Sequence, residues 1–279
     1  MMITALRVEL AKVFSKWRTF IGFIAMTLLV PVIVLAMSAE GGQYFSFAMQ
    51  TLQQAFTFTG NLMNGYTVAY IIFGALYLHV PFLVTLVAGD SLAGEATSGT
   101  YRLLLTRPLT RTTMVTSKYL ASMIYVKLLV LWMAILSLGL GVLVLGTGEV
   151  IVIRSQITII AQNDVLWRFA LAYAFAMLSM MTVASVAFLC SSLVENSIGP
   201  IMTTMAIIIV FTIISAIDLP LFDSIRPLLF TNHMNGWKLL FDDPVDWSRV
   251  ATSASVLAGH MAACYGAALI IVRRKDILT

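Results

Sequence analysis

The chain has 279 residues, of which 60% are hydrophobic and 11% charged, with a mean hydropathy of +0.95. A soluble domain carries about 25% charged residues, so this composition excludes a water-soluble globule and makes lipid the solvent. The net charge of +4 is then no sign of nucleic-acid binding, and where the charges sit along the chain matters more than their sum.

In chain order, residues 2–18 come first. Ile3, Leu6, Leu10, Val13, Phe14 and Trp17 fall in one helical arc about 100° wide, with Glu9, Lys12 and Lys16 opposite. The pattern predicts an amphipathic elbow helix with its basic face turned to the headgroup layer. It would serve either as an anchor or as a pivot for the span that follows.

A transmembrane helix needs about 20 mostly apolar residues. Six stretches qualify: 19–37, 67–89, 119–146, 167–190, 199–217 and 251–272. The first is too long for the ~7–15 residue apolar core of a cleaved signal peptide, so it reads as a span. Residues 38–66 carry no charge after Glu40 and are expected to form an interfacial helix pair.

With both termini in the cytoplasm, eleven Lys and Arg fall inside and five (Arg154, Arg168, Arg226, Lys238, Arg249) outside, while Lys127 lies within a span. That bias obeys the positive-inside rule. The fold expected is all-α and polytopic: an elbow helix plus six transmembrane helices in one domain over 1–279. The connection 90–118 is cytoplasmic, and 218–250 forms an amphipathic cap outside.

The stretch 90–118 is unusual. Asp90 and Glu95 continue the second span beyond the bilayer, with their acids expected in water. Ser98 and Gly99 break that helix, and residues 100–106 read as a short crosswise helix that Pro108 ends. Thr110 is a fitting N-cap for the next long helix. Leu103, Leu104 and Leu105 stand in a row and require cover from headgroups or a protein groove.

The run Glu95, Gly99, Thr100, Leu104, Leu105, Pro108, Arg111, Lys118 resembles the permease subunits of ABC-2 type transporters. The basic tail Arg273-Arg274-Lys275 is similar to theirs as well. The resemblance implies that this loop is a coupling helix docking on a separate ATPase, through Glu95, Gly99, Thr100, Tyr101, Arg102, Leu104, Leu105, Arg107, Pro108 and Arg111. The turn 191–198, with Glu195, would be a second inner contact. Lys12, Lys16 and Trp17 would belong to the elbow.

The resemblance further implies two ATPase copies and a second permease chain, identical or related. It also implies a bacterial inner-membrane setting, surrounding lipid, and a periplasmic or accessory protein as a further partner. These 279 residues contain no G-x-x-x-x-G-K-[ST], the loop that cradles phosphates. The chain is therefore expected not to be an enzyme and to need no cofactor of its own; ATP and Mg would sit in the partner.

Other residues are candidates for a substrate path. His79 lies mid-span, two residues before Pro81, and ionisable groups inside a membrane are functional suspects. The competing reading is a neutral histidine bonded to a neighbouring helix, and His260 stands likewise. Lys127 can snorkel to the inner surface. Met177, Met180 and Met181 share a face, as do Met202 and Met205. Thioether ligands would suit copper, but methionine is first an adaptable core filler. Cys190 and Cys264 lack any CxxC spacing, and no metal site is expected.

The function expected is that of a permease of an ATP-driven exporter. An ion-coupled carrier and a permease for copper-enzyme maturation cargo are the alternatives.

Overall fold

The computed structural model describes residues 1–48, 63–97, 110–154, 157–217 and 219–274. Its main helices are α1 (Met2–Ser15), α2 (Trp17–Ala48), α3 (Gly65–Ala88), α4 (Asp90–Thr97), α5 (Arg111–Leu145), α6 (Gln162–Leu193), α7 (Ile198–Ala216), α8 (Phe230–Met234) and α9 (Trp247–Arg274). Six are long and apolar enough to cross a membrane: α2, α3 running on into α4, α5, α6, α7 and α9. The chain is thus an all-α polytopic membrane protein. Even-numbered crossing brings its two ends to one side, here called the terminal side.

Local chemistry sets the helix starts. The Asn64 side chain accepts from the backbone N–H groups of Tyr66 and Thr67, at 3.0 and 3.2 Å, and opens α3. Thr110 caps α5 as its sequence predicts, accepting from Thr113 N at 3.2 Å. The elbow ends sooner than expected. Lys16 is extended and closes α1, so Trp17 is the first residue of the span, where its ring is exposed. The expected interfacial pair over 38–66 is not a separate unit at its start, because α2 continues unbroken to Ala48. Propagating a formed helix adds one bond per residue, and α2 runs on through Gly41 and Gly42 despite their low helix propensity.

Two features were absent from the sequence reading. Val150–Ile153 (β1) and Ile157–Ile160 (β2) form an antiparallel hairpin on the far side, with Val150 opposite Ile160. The segment Phe230–Phe241 does not lie on the surface as a cap. It packs into the bundle, burying Phe230, Met234, Trp237, Leu240 and Phe241 among α3, α6, α7 and α9.

Trp237 is fully buried, with its ring 4.2 Å from Phe73 and near Tyr77 and Phe241. The Tyr77 hydroxyl donates to the Met234 carbonyl at 2.6 Å. Tyr77 is twelve residues into α3, or about 18 Å along its axis. Irregular backbone survives at that depth only where protein satisfies its polar groups. Arg168 does so at the far end, donating to the carbonyls of Leu240 (3.1 Å) and Asp242 (2.7 Å) while paired with Asp164 at 2.8 Å. Apolar alternation cannot announce such a plug, because its aromatics read equally well as an interfacial cap.

α3 and α5 cross closely near the far side at Gly65 and Gly141. A Cβ on Gly141 would stand 2.7 Å from the Gly65 carbonyl oxygen, whereas one on Gly139 would meet nothing. Alanine normally stabilises a helix by about 1 kcal/mol relative to glycine. Gly139→Ala should therefore hold or raise the melting temperature in detergent. Gly141→Ala should lower it, as overpacking costs about 1–3 kcal/mol. Equal shifts for the two would refute the crossing.

Candidate functional site

The terminal side carries a compact ion network. Lys118, the eighth residue of α5, is 3% exposed at its side chain and needs counter-charge. Its Nζ lies 2.8 Å from Glu9 Oε2 and 2.5 Å from Glu95 Oε1. Lys12 Nζ bridges the same two acids, at 3.0 Å to Glu9 Oε1 and 2.9 Å to Glu95 Oε1. Two cations and two carboxylates thus join α1, α4 and α5. Beside them Asp90, buried at the head of α4, takes Lys16 at 2.7 Å and Arg18 at 3.1 Å.

This arrangement ties the elbow to the protein through its charged face. Glu9 is buried there, while the apolar arc is half-buried at Leu6, Leu10, Val13 and Phe14 and exposed at Ile3. The physical reason is Lys118. A buried ammonium loses several kcal/mol of hydration unless carboxylates replace the water, and Glu9 is the acid that α1 can bring. For the same reason Asp90 and Glu95 are not in water as the sequence suggested. Both are buried and paired.

Further bonds fix the surroundings of 98–109. Arg111 Nη1 donates to the Arg273 carbonyl at 3.1 Å, at the end of α9, where a cation is favoured by the helix dipole. The hydroxyls of Thr116 and Tyr265 meet at 2.7 Å. Ser191 Oγ accepts from the Leu92 and Ala93 N–H groups, at 3.1 and 2.9 Å, in the first turn of α4. Thr97 Oγ1 donates to the Glu195 carbonyl at 2.9 Å, so the stem of the loop touches the α6–α7 turn.

Glu95, Arg111, Glu195, Lys12 and Lys16 are therefore brought to one face. Glu95 and Arg111, on either side of 98–109, bond to other helices of the bundle. Gly99, Thr100, Tyr101, Arg102, Leu104, Leu105, Arg107 and Pro108 lie outside the described residues. Glu9, Arg18, Asp90 and Ser191 complete the site; the sequence pattern marks Glu9 and Asp90 only as charges facing water and assigns none of the four a partner. Glu9 could have been found, since it is the lone acid in a basic elbow. Nothing local marks Ser191.

The candidate path residues do not converge. His79 is exposed on α3, its Nδ1 2.9 Å from the Ala75 carbonyl of the same helix. His260 bonds likewise to Val256, and not to a neighbouring helix. Lys127 is exposed on α5. Tyr125 and Leu129 flank Gly22, which sets Lys127 about one turn above Arg18, within snorkelling reach of the terminal surface. Met177 and Met181 pack partly buried against the core. Among the described residues, no three His, Cys, Asp or Glu side chains gather as a metal site.

Burial pushes the Glu9 carboxyl up, but the charges and hydrogen bonds of Lys118 and Lys12 outweigh it, leaving the pKa below the ordinary 4.5. Burial pulls Lys12 down, yet its bonds to Glu95 and Glu9 win and raise it above 10.5. A depressed acid stabilises above its unfolded pKa and loses that contribution as pH falls through the folded value. A raised lysine stabilises below its unfolded pKa and loses it as pH rises through the folded value. Docking of α1 should therefore stay flat between pH 4.5 and 10.5 and loosen outside that window. A fluorophore on Ala11→Cys reads this; a transition near neutrality would contradict it.

Lys118→Met should destabilise by about 3 kcal/mol, because it leaves two carboxylates with one shared partner. Lys118→Met with Glu9→Gln should recover part of that loss in a detergent melt. No recovery would argue against the pairing.

No curated protein matches the chain. A family model does match, over residues 22–278, and its span runs from within α2 through α9 and includes the α4 and α5 parts of the ion network. The chain belongs to the family described as Protein of unknown function (DUF2705).

Proposed function

We propose that this chain is the membrane-spanning permease subunit of an ATP-driven ABC-2 type transporter, acting as an exporter in a bacterial plasma membrane. Both termini then face the cytoplasm, in keeping with the eleven-to-five bias of basic residues. Two copies of a separate ATPase bind ATP and Mg, and a second permease chain completes the pore.

The observation that carries this reading is the bracing of both ends of 98–109. Glu95 and Lys118, on either side of the segment, are paired to each other and to α1. Arg111 ties the far end to α9, and Thr97 ties the near end to the α6–α7 turn. A push on 98–109 therefore reaches α1, α3, α5, α7 and α9 together. A force applied there by ATPase closure biases a two-state bundle, provided the ATPase contacts differ between the states.

A tagged chain should copurify an ATPase, and replacing 98–109 by a Gly/Ser linker of equal length should abolish that. Arg111→Ala should keep the ATPase but lower transport-linked hydrolysis about tenfold, the effect of some 1.4 kcal/mol of lost coupling. If no ATPase is recovered and transport survives ATP depletion on a proton gradient, the chain is an ion-coupled carrier instead.

A further inference from the structure

His79 sits in an unusual place. A groove of about 440 Å³ runs between α2 and α3 on the membrane-facing surface, lined by Met26, Leu29, Leu76, His79, Phe82 and Leu83 among others. That volume lies in the ~300–1,000 Å³ range of small-molecule sites. The lining is apolar throughout except for the imidazole.

The depth is known from α2. Met26 and Leu29 are nine and twelve residues from Trp17, about 14–18 Å along the axis, near the middle of a ~30 Å hydrocarbon layer.

The imidazole is oriented. Its Nδ1 lies 2.9 Å from the Ala75 carbonyl. A carbonyl oxygen only accepts, so Nδ1 carries the hydrogen and Nε2 is left as an acceptor. Among the described residues no donor faces Nε2. Water is scarce at this depth, and an unmet acceptor in hydrocarbon is costly. Ordinary phospholipids hold their polar groups at the interface and cannot supply a donor here.

We propose that the α2–α3 groove is a membrane-accessible binding site for a neutral, hydrocarbon-soluble molecule carrying one hydroxyl or amide N–H, which donates to His79 Nε2. The apolar walls take the body of the ligand and the histidine selects for the donor. The site is separate from the ATPase-coupling reading, and its test requires no ATPase.

The full chain, in lipid nanodiscs, is exposed to a diazirine-bearing alkylphenol or to its O-methyl ether, which has the same body and no donor. The phenol should label the peptides 25–33 and 75–83 about fivefold more than the ether, the effect of one hydrogen bond of about 1 kcal/mol. His79→Phe should erase the difference while leaving ether labelling in place. Equal labelling by the two probes on the wild-type chain overturns the proposal, whatever the variant does. So does a disulfide between two chains through Leu29→Cys and Phe82→Cys that blocks labelling, since a second copy would then fill the groove.

Discussion

The terminal side is organised by one requirement: the ammonium of Lys118 is almost wholly removed from solvent and must be met by carboxylates. Glu95 meets it from α4 and Glu9 from α1. Lys12 then balances the second charge of the pair. Charge neutrality within this group of four allows Lys118, Glu9 and Glu95 to be buried while Lys12 keeps part of its hydration. An amphipathic helix that could have floated in the headgroups is thereby fixed to the protein by its polar face.

That fixation changes what α1 can do. A headgroup anchor would follow the membrane. A helix locked to α4 and to the base of α5 follows those two helices. The turn at Lys16 links α1 to α2, and Asp90 grips Lys16 and Arg18 on both sides of it. The first span is thus coupled to the second at its terminal end by charge and to the third by the Gly22 contacts with Tyr125 and Leu129. At the opposite end aromatic packing provides most of the coupling, with Arg168 and Arg154 adding hydrogen bonds and ion pairs at its edge. The Phe230–Phe241 insert is wedged by Trp237 and pinned by Arg168, which joins α3 to α6 through aromatic packing. The two ends of the bundle are closed by different physics.

Much of this could be read from residue pattern. Six long apolar runs predict six spans, since length and hydropathy suffice when lipid is the solvent. Thr110 is visible as a cap because its chemistry is local. What pattern cannot deliver is which polar groups meet across the chain. Glu95 and Lys118 stand out in the same motif, yet sequence spacing does not say whether they face a partner or each other. The elbow shows the same limit: its two faces are plain, but which one packs depends on a lysine more than a hundred residues away. The insert was missed for a related reason, since its aromatics suit an interface as well as a core.

The account holds that α1, α4 and the base of α5 move as one body. Spin labels at Ala11→Cys and Ala96→Cys, with a third at Thr147→Cys on the far side, test this by pulsed electron resonance in the complex with the proposed ATPase, with and without ATP. The 11–96 distance should stay constant while both distances to 147 shift together. A change in the 11–96 distance on adding ATP would show that α1 is not locked to the loop stem and would contradict the account.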